Sequence, residues 1–253
     1  MIINSSDLTV LSVIEGSVGL AALMVESIER FTKPSPSIIV ANQNINKITK
    51  NTFEKNPIIK VVDSLPGKTK NTSLRHARGL NTIMPHVNTT YSAIVESDCV
   101  VLREDWFDFD TDKYDMMASL KCNQLGEEQY HVCFLVFKTE LLKGMDWSPS
   151  EATKPRDTGH RIFSHIGGKT ERIKYLQIKS KKQARIFQQG FEYKTFEAYK
   201  DDGMPIAAHF GRGSDLGRRP TNKLGVAKLQ VREWSKTYRE FVNSLNGKSE
   251  VKI

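Results

Sequence analysis

Glu96-Ser97-Asp98 ends the apolar run Tyr91–Val95 (YSAIV), so two carboxylates two residues apart sit where a strand gives way to a turn. Paired hard oxygens of this kind can hold a divalent cation that also binds phosphate oxygens; the other reading is an exposed acidic pair. Three more groups of residues share that position in the chain pattern. Glu15-Gly16-Ser17 follows the apolar run Leu8–Ile14, and Asn42-Gln43-Asn44 follows Ser37–Ala41. Arg75 and Arg78 lie three apart on one face of a helical segment. Small and polar residues let backbone amides approach a ligand, and a helix beginning after Ser17 offers its amino terminus to an anion.

The elements that must position these residues alternate. Leu8–Ile14, Ser37–Ala41, Ile58–Val62 and Tyr91–Val95 read as buried strands. Between them, Leu20, Leu23, Met24, Ile28 and Phe31 mark a helix stopped before Pro34, and Ser73–Met84 marks another closed by Pro85. Alternation at this spacing predicts an α/β fold with a mostly parallel central sheet flanked by helices and right-handed crossovers. Ligands in such a sheet collect at the carboxyl ends of the strands, where the four groups above should meet. Further on, Tyr114–Leu120 and His131–Lys138 are expected strands, Gly159–Ile166 a short helix, and Ile173–Phe187 a basic strand region. A final helix is expected from Lys223 to Leu245, with Ala227, Val231, Trp234, Tyr238, Phe241 and Leu245 along one seam. It could dock internally, on a second copy, or against a membrane.

The chain has 253 residues, 39% hydrophobic and 26% charged, enough to bury a core without disulfide staples. Its net charge of +8 favours phosphate-rich partners without choosing among them. Cys99, Cys122 and Cys133 have no CxxC spacing and fit buried free thiols, which implies a reducing, cytoplasmic setting. No run approaches the ~18 apolar residues of a membrane span.

The passage Asn71–Trp106 (NTSLRHARGLNTIMPHVNTTYSAIVESDCVVLREDW) resembles the GT-A type glycosyltransferases, particularly the family-2 nucleotide-sugar transferases. Those carry a helix with an Ala-Arg-Asn sequence and then a strand ending in Asp-x-Asp. Here the helix reads Ala77-Arg78-Gly79 and the acidic motif is Glu96-Ser97-Asp98. The resemblance implies a GT-A (Rossmann-like) domain over residues 1–220, with a nucleotide-binding half at 1–110 and an acceptor half at 111–220, followed by a helical extension at 221–253. It implies a nucleoside diphosphate sugar donor, of UDP or GDP type, a glycan or other hydroxyl acceptor, and Mn2+ or Mg2+. Asp98 would bind the metal, with Glu96 assisting directly or through water. Glu15, Ser17, Asn42, Arg75, Arg78 and Ser97 would face the nucleotide, Asn42 standing where the family has an aspartate.

The resemblance also gives the late histidine a role. His209, before Phe210-Gly211-Arg212-Gly213-Ser214, looks like the third metal ligand of many GT-A enzymes, with Arg212 and Ser214 donating to phosphate. Imidazole with carboxylate and diphosphate oxygens suits Mn2+ somewhat better than Mg2+. Asp157-Thr158-Gly159 precedes a short helix, as the general base does in inverting members; Asp157 is equally placed as a helix N-cap. His160 beside it could touch the acceptor, and Trp147 is either a sugar-stacking platform or a core residue. A sugar-1-phosphate nucleotidyltransferase would want a basic, glycine-rich loop after the first strand, where Glu15-Gly16-Ser17-Val18-Gly19 has no basic residue. A non-catalytic nucleic-acid-binding protein would want basic residues interleaved with exposed aromatics on one face. Lysines and arginines are instead spread through the chain, so no nucleic acid is expected as a partner.

Overall fold

The computed structural model describes residues 2–16, 18–43, 53–65, 67, 69, 71–122, 126–149, 157–179, 185–188, 191–194, 197–210, 235–236, 238–240 and 243. In chain order these form β1 (Leu8–Ile14), α1 (Val18–Phe31), β2 (Ser37–Asn42), β3 (Ile59–Asp63), α2 (Thr72–Ile83), β4 (Tyr91–Val95) and β5 (Cys99–Val101). There follow β6 (Met116–Cys122), β7 (Glu128–Tyr130), β8 (Phe134–Lys138), α3 (Thr139–Leu142) and α4 (Ile162–His165). The last strands are β9 (Ile173–Lys179), β10 (Arg185–Gln188), β11 (Phe191–Lys194), β12 (Glu197–Asp201) and β13 (Met204–His209).

Among the described residues the main sheet runs β3-β2-β1-β4-β8-β6-β9-β12-β13-β5, with β7 paired to β6 and a separate β10–β11 ribbon. Strands β3, β2, β1 and β4 are mutually parallel. Beyond β4 the pairings are antiparallel except β6 with β9. The parallel character is therefore concentrated in the first half, where helices alternate with strands. In the second half β12 and β13 are joined by only two residues, and so short a connection requires antiparallel neighbours.

β1 and β2 are buried along almost their whole length because both sheet faces are covered. Val10 and Ile14, with Ile38 and Val40, pack on the side of α1; Leu11 and Val13, with Ile39 and Ala41, pack on the side of α2. Each buried Val, Leu or Ile among these stabilises by about 1.5–3 kcal/mol. Leu20, Leu23, Met24, Ile28 and Phe31 form the buried stripe of α1. Tyr238, on the expected C-terminal helix, is buried in that same α1-side cluster; most of that helix's expected span lies outside the described residues.

Asn71 caps α2 by accepting from the Leu74 amide at 3.1 Å. The departure from Ala-Arg-Asn at Gly79 has a packing reason. A Cβ there would meet the two Val13 methyls at 2.6 and 2.7 Å, so α2 crosses β1 too closely for any side chain. Before β6, the Asp115 carboxylate takes Arg172 Nη2 at 2.8 Å and Lys138 Nζ at 2.7 Å, tying the starts of β6 and β9 to the end of β8. Hydrogen bonding from Arg172, backed by Lys138, holds its pKa down at about 2 against the opposing effect of partial burial. Among the described residues no helix is long and apolar enough to cross a membrane.

Candidate metal and nucleotide site

The chain leaves β4 through a tight turn in which the Cys99 amide donates to the Glu96 carbonyl at 2.8 Å. Glu96 donates its own amide to the Cys133 carbonyl at 3.0 Å, which fixes the turn against the segment before β8. That closure brings Glu96 and Asp98 around together. His209 reaches them from 111 positions later in the chain because β13 pairs antiparallel with β5, His209 opposite Cys99. The Phe210 amide then donates to the Asp98 carbonyl at 2.8 Å, locking the end of β13 onto the acidic turn.

His209 Nε2 lies 3.1 Å from Asp98 Oδ1 and 3.3 Å from Glu96 Oε2. One donor atom from each of the three falls within 4.8 Å of the others. On the far side of the ring, Glu197 sits directly across from His209 in the β12–β13 register, and its Oε2 is 3.0 Å from His209 Nδ1. A carboxylate on Nδ1 fixes the ring orientation and directs Nε2 at the two acids, the arrangement that supports a metal-bound histidine. Two carboxylate oxygens and one imidazole nitrogen make a donor set that fits Mn2+ or Mg2+.

The electrostatics are those of a negative cluster with a built-in countercharge. Burial alone would raise Glu197, but the His209 hydrogen bond, His131 and Lys121 hold it at about 2. Burial likewise opposes ionisation of Glu96, and contact with His209 and His76 overcomes it, keeping the carboxyl well below its usual range. Burial disfavours a charged His209, yet Cys133 and Asp98 against the ring push its pKa well above that of a free imidazole.

Around this centre stand residues that single-sequence reading did not assign to it. Glu197, Lys121 and His131 belong to the cluster: Lys121 Nζ is 2.5 Å from Glu197 Oε1, and His131 Nε2 is 3.5 Å from Glu197 Oε2. His76 on α2 places Nε2 3.5 Å from Glu96 Oε1 and Nδ1 3.3 Å from Thr158 Oγ1. A cross-strand pairing 12 positions apart, Glu197 with His209, has only one sequence signal, the alternation of β12 and β13. His131 and Cys133 lie in the turn between β7 and β8, so their i,i+2 spacing carries no strand-alternation signal, and the turn itself brings them together.

Of the nucleotide-facing expectations, Glu15 and Asn42 stand at the carboxyl ends of β1 and β2, Arg75 and Arg78 on α2, and Ser97 in the turn after β4. Buried Glu15 forms an ion pair with Arg75, and Gln43 Nε2 donates to the Arg75 carbonyl at 2.6 Å. Asn42 Nδ2 donates to Asp63 Oδ1 at 3.2 Å, so a carboxylate does stand beside Asn42, supplied by β3. Arg78 packs its guanidinium over Gly67, where a Cβ would meet Nη1 at 1.7 Å. Ser97 is half-buried in the acidic turn. Ser17, Arg212 and Ser214 lie outside the described residues.

Asp157 starts a 3-10 turn over Thr158–Arg161 and accepts from the Thr158 amide at 2.8 Å, so it does cap. Burial works against the charge of Lys121, but its hydrogen bond to Glu197, with smaller contributions from Cys133 and Asp157, raises its pKa. Gly159 is obligatory, since a Cβ would meet the Tyr130 carbonyl oxygen at 2.0 Å. His160 is half-buried, its amide donating to the Asp157 carbonyl at 3.1 Å. Trp147 is not a sugar platform. It is 0% exposed, tilted against Phe137 at a centroid distance of 6.5 Å, because the α2-side core needs its volume there. Cys99 and Cys133 are buried free thiols, whereas Cys122 is exposed at the end of β6.

The parallel β3-β2-β1-β4 half, the acidic turn after β4 and the antiparallel second half define the GT-A type of α/β fold. The glycosyltransferase GlyE of Streptococcus pneumoniae TIGR4 matches with a TM-score of 0.50 at 12% identity, over 93% of this chain and 63% of that one. A 4-diphosphocytidyl-2C-methyl-D-erythritol synthase from Anaerococcus prevotii DSM 20548 matches at 0.49 and 13% identity, over 73% and 94%. The mannosyltransferase PcManGT from Pyrobaculum calidifontis, in complex with GDP-Man and Mn2+, matches at 0.48 and 11%, over 97% and 76%. At such identities the likeness concerns the fold alone. No family model and no curated protein matches the chain.

Glu197 gives a direct check on the cluster. Replacing it with alanine frees the His209 ring and should weaken Mn2+ binding by about 10–100-fold. Glu197→Gln, which keeps an acceptor for Nδ1–H, should lose much less. Mn2+ binding followed by electron paramagnetic resonance reads both; equal affinities for the parent and Glu197→Ala would remove Glu197 from this role.

Proposed function

We propose that this chain is a metal-dependent glycosyltransferase, moving a sugar from a nucleoside diphosphate donor to a hydroxyl acceptor. One observation carries the reading: at the carboxyl end of β4, His209 Nε2 faces both Asp98 and Glu96 at 3.1 and 3.3 Å. The GT-A fold and the resemblance of Asn71–Trp106 to family-2 sequences support it. A bound Mn2+ or Mg2+ there supplies Lewis-acid neutralisation of the departing diphosphate.

The chain's own residues do the rest. Asp98, Glu96 and His209 hold the cation, and Glu197 keeps the imidazole aimed. Arg75 and Arg78 on α2, with Glu15, Asn42 and Ser97, line the base and ribose side; Arg212 and Ser214 donate to the diphosphate. Asp157 accepts the proton of the attacking hydroxyl, with His160 beside the acceptor, which makes the transfer inverting. An oxocarbenium-like transition state is expected, as in other glycosyl transfer.

Thermal titration of the whole chain with UDP, GDP and their sugars, with and without Mn2+, tests this. One diphosphate should raise Tm by about 5–10 °C at ~100 times its Kd, and only with the metal present. Metal-independent stabilisation, or stabilisation by an oligonucleotide alone, would overturn the reading. Pyrophosphate release from a nucleoside triphosphate and a sugar-1-phosphate would instead establish the nucleotidyltransferase alternative.

A further inference from the structure

The acidic turn uses one side of His209. A different set of donors meets the same ring: His131 and Cys133, from the segment before β8, each offer one atom within 4.8 Å of one another and of His209. All three residues are buried, at 4%, 7% and 7% exposure. The His131 Nε2 to Cys133 Sγ distance is 3.2 Å, and the two imidazoles stand edge to face with centroids 6.0 Å apart. Tetrahedral zinc with nitrogen and sulfur ligands sets its donor atoms about 3.3–3.7 Å apart, so little movement is required.

Both rings are braced for that purpose. His131 Nδ1 is 2.8 Å from the Tyr199 hydroxyl, and His209 Nδ1 is 3.0 Å from Glu197 Oε2. Tyr199 and Glu197 both come from β12, one strand acting as the outer support of two imidazoles. With Nδ1 taken in each ring, Nε2 is the atom presented, as in histidines that ligate metal with a fixed tautomer. A fourth position is available from the Asp98 or Glu96 carboxylate beside His209 Nε2.

We propose that His131, Cys133 and His209 form a second cation site, selective for thiophilic ions of the zinc class and sharing His209 with the Glu96–Asp98 set. Sulfur and two nitrogens favour Zn2+, Cd2+ or Co2+ over Mn2+ and Mg2+, whose preference is for the carboxylate oxygens of the acidic turn. Binding exchanges the Cys133 thiol proton, and any proton on His209, for the cation, and the protons leave to solvent. Occupancy of one set withdraws His209 from the other. A zinc-class ion therefore competes with the hard cation; that regulatory consequence, unlike the site itself, rests on the transferase reading.

The experiment uses the full chain with Cys122→Ser, which removes the exposed thiol, and Co2+ as probe. A saturable thiolate-to-cobalt charge-transfer band is expected at a single equivalent, abolished by Zn2+ and absent in Cys133→Ser. Asp98→Asn should retain the band and lose the Mn2+ paramagnetic resonance signal of bound metal, while Cys133→Ser should do the opposite. No band in the parent, or an unchanged band in Cys133→Ser, would overturn the proposal. If circular dichroism shows Cys133→Ser unfolded, His131→Gln decides: unchanged cobalt affinity overturns the site, and a loss of about tenfold or more supports it. A cobalt band without any Mn2+ binding would uphold this site and sink the hard-cation reading; Mn2+ binding without a band would do the reverse.

Discussion

Asp98→Asn should lower kcat/KM for glycosyl transfer by about three orders of magnitude or more, ~4 kcal/mol of transition-state stabilisation. Asparagine keeps the volume of the buried side chain but offers no anionic oxygen to a cation beside a diphosphate. The fold should be almost indifferent. Three carboxylates, Glu96, Asp98 and Glu197, crowd one imidazole, so removing one charge loses an ion pair with His209 and relieves repulsion among the acids. A change of about 1 kcal/mol corresponds to a Tm shift of about 2–4 °C in a chain of this size. Steady-state transfer at saturating Mn2+, with a calorimetric melt of the same sample, separates the two. Parent-level activity would mean that Asp98 does not serve the reaction. A collapse of Tm in step with activity would mean that its role is structural.

The positions most readable from sequence were those with a local signature. The runs of β1, β2 and β4 announce themselves because strands covered on both faces are mostly apolar, broken only by small hydroxyls such as Thr9, Ser12 and Ser92, and the turn after β4 is legible because its acids follow such a run directly. The proline-bounded ends of α1 and α2 are local too. What stayed hidden depends on pairing between distant strands. Glu197 looks like an ordinary polar residue until β12 lies against β13 and places it opposite His209. Asp63 becomes a neighbour of Asn42 only through the β2–β3 register. His131 and Cys133 lie in a turn, where their spacing does not say what they face; that is set by the Glu96 to Cys133 backbone bond. Gly79 shows the converse. Read against a motif it is a departure, whereas the crossing of α2 over β1 makes it a steric requirement.

These hidden residues change the character of the site. With the acidic turn and His209 alone, a cation would rest on two side chains from one turn and a third from the end of β13. With Glu197 and Tyr199 on β12, the imidazoles are held by a strand inside the sheet, and Lys121 on β6 sets the charge from a third direction. Rigid elements hold donor geometry more closely than loops do.

Trp147→Ala should cost about 3–5 kcal/mol of stability, the range for deleting a large aromatic from a packed interior, and lower Tm by about 10 °C or more. Trp147→Phe should cost far less, since the indole Nε1 has no hydrogen-bond partner among the described residues and the ring contacts with Phe137 survive. Neither effect should pass through sugar stacking: Trp147→Phe is expected to leave KM for the acceptor unchanged. The connection to the acceptor side is mechanical. The Trp147 amide donates to Asn81 Oδ1 on α2 at 3.0 Å, and neighbouring Asp146 takes Asn81 Nδ2 at 2.9 Å and Arg161 Nη1 at 2.8 Å. Arg161 ends the 3-10 turn that Asp157 begins. Loosening Trp147 therefore loosens the anchor of the proposed general base, and Trp147→Ala should lower kcat, measured well below its own Tm, without raising acceptor KM. A raised KM in Trp147→Phe at unchanged Tm would return this residue to the acceptor site.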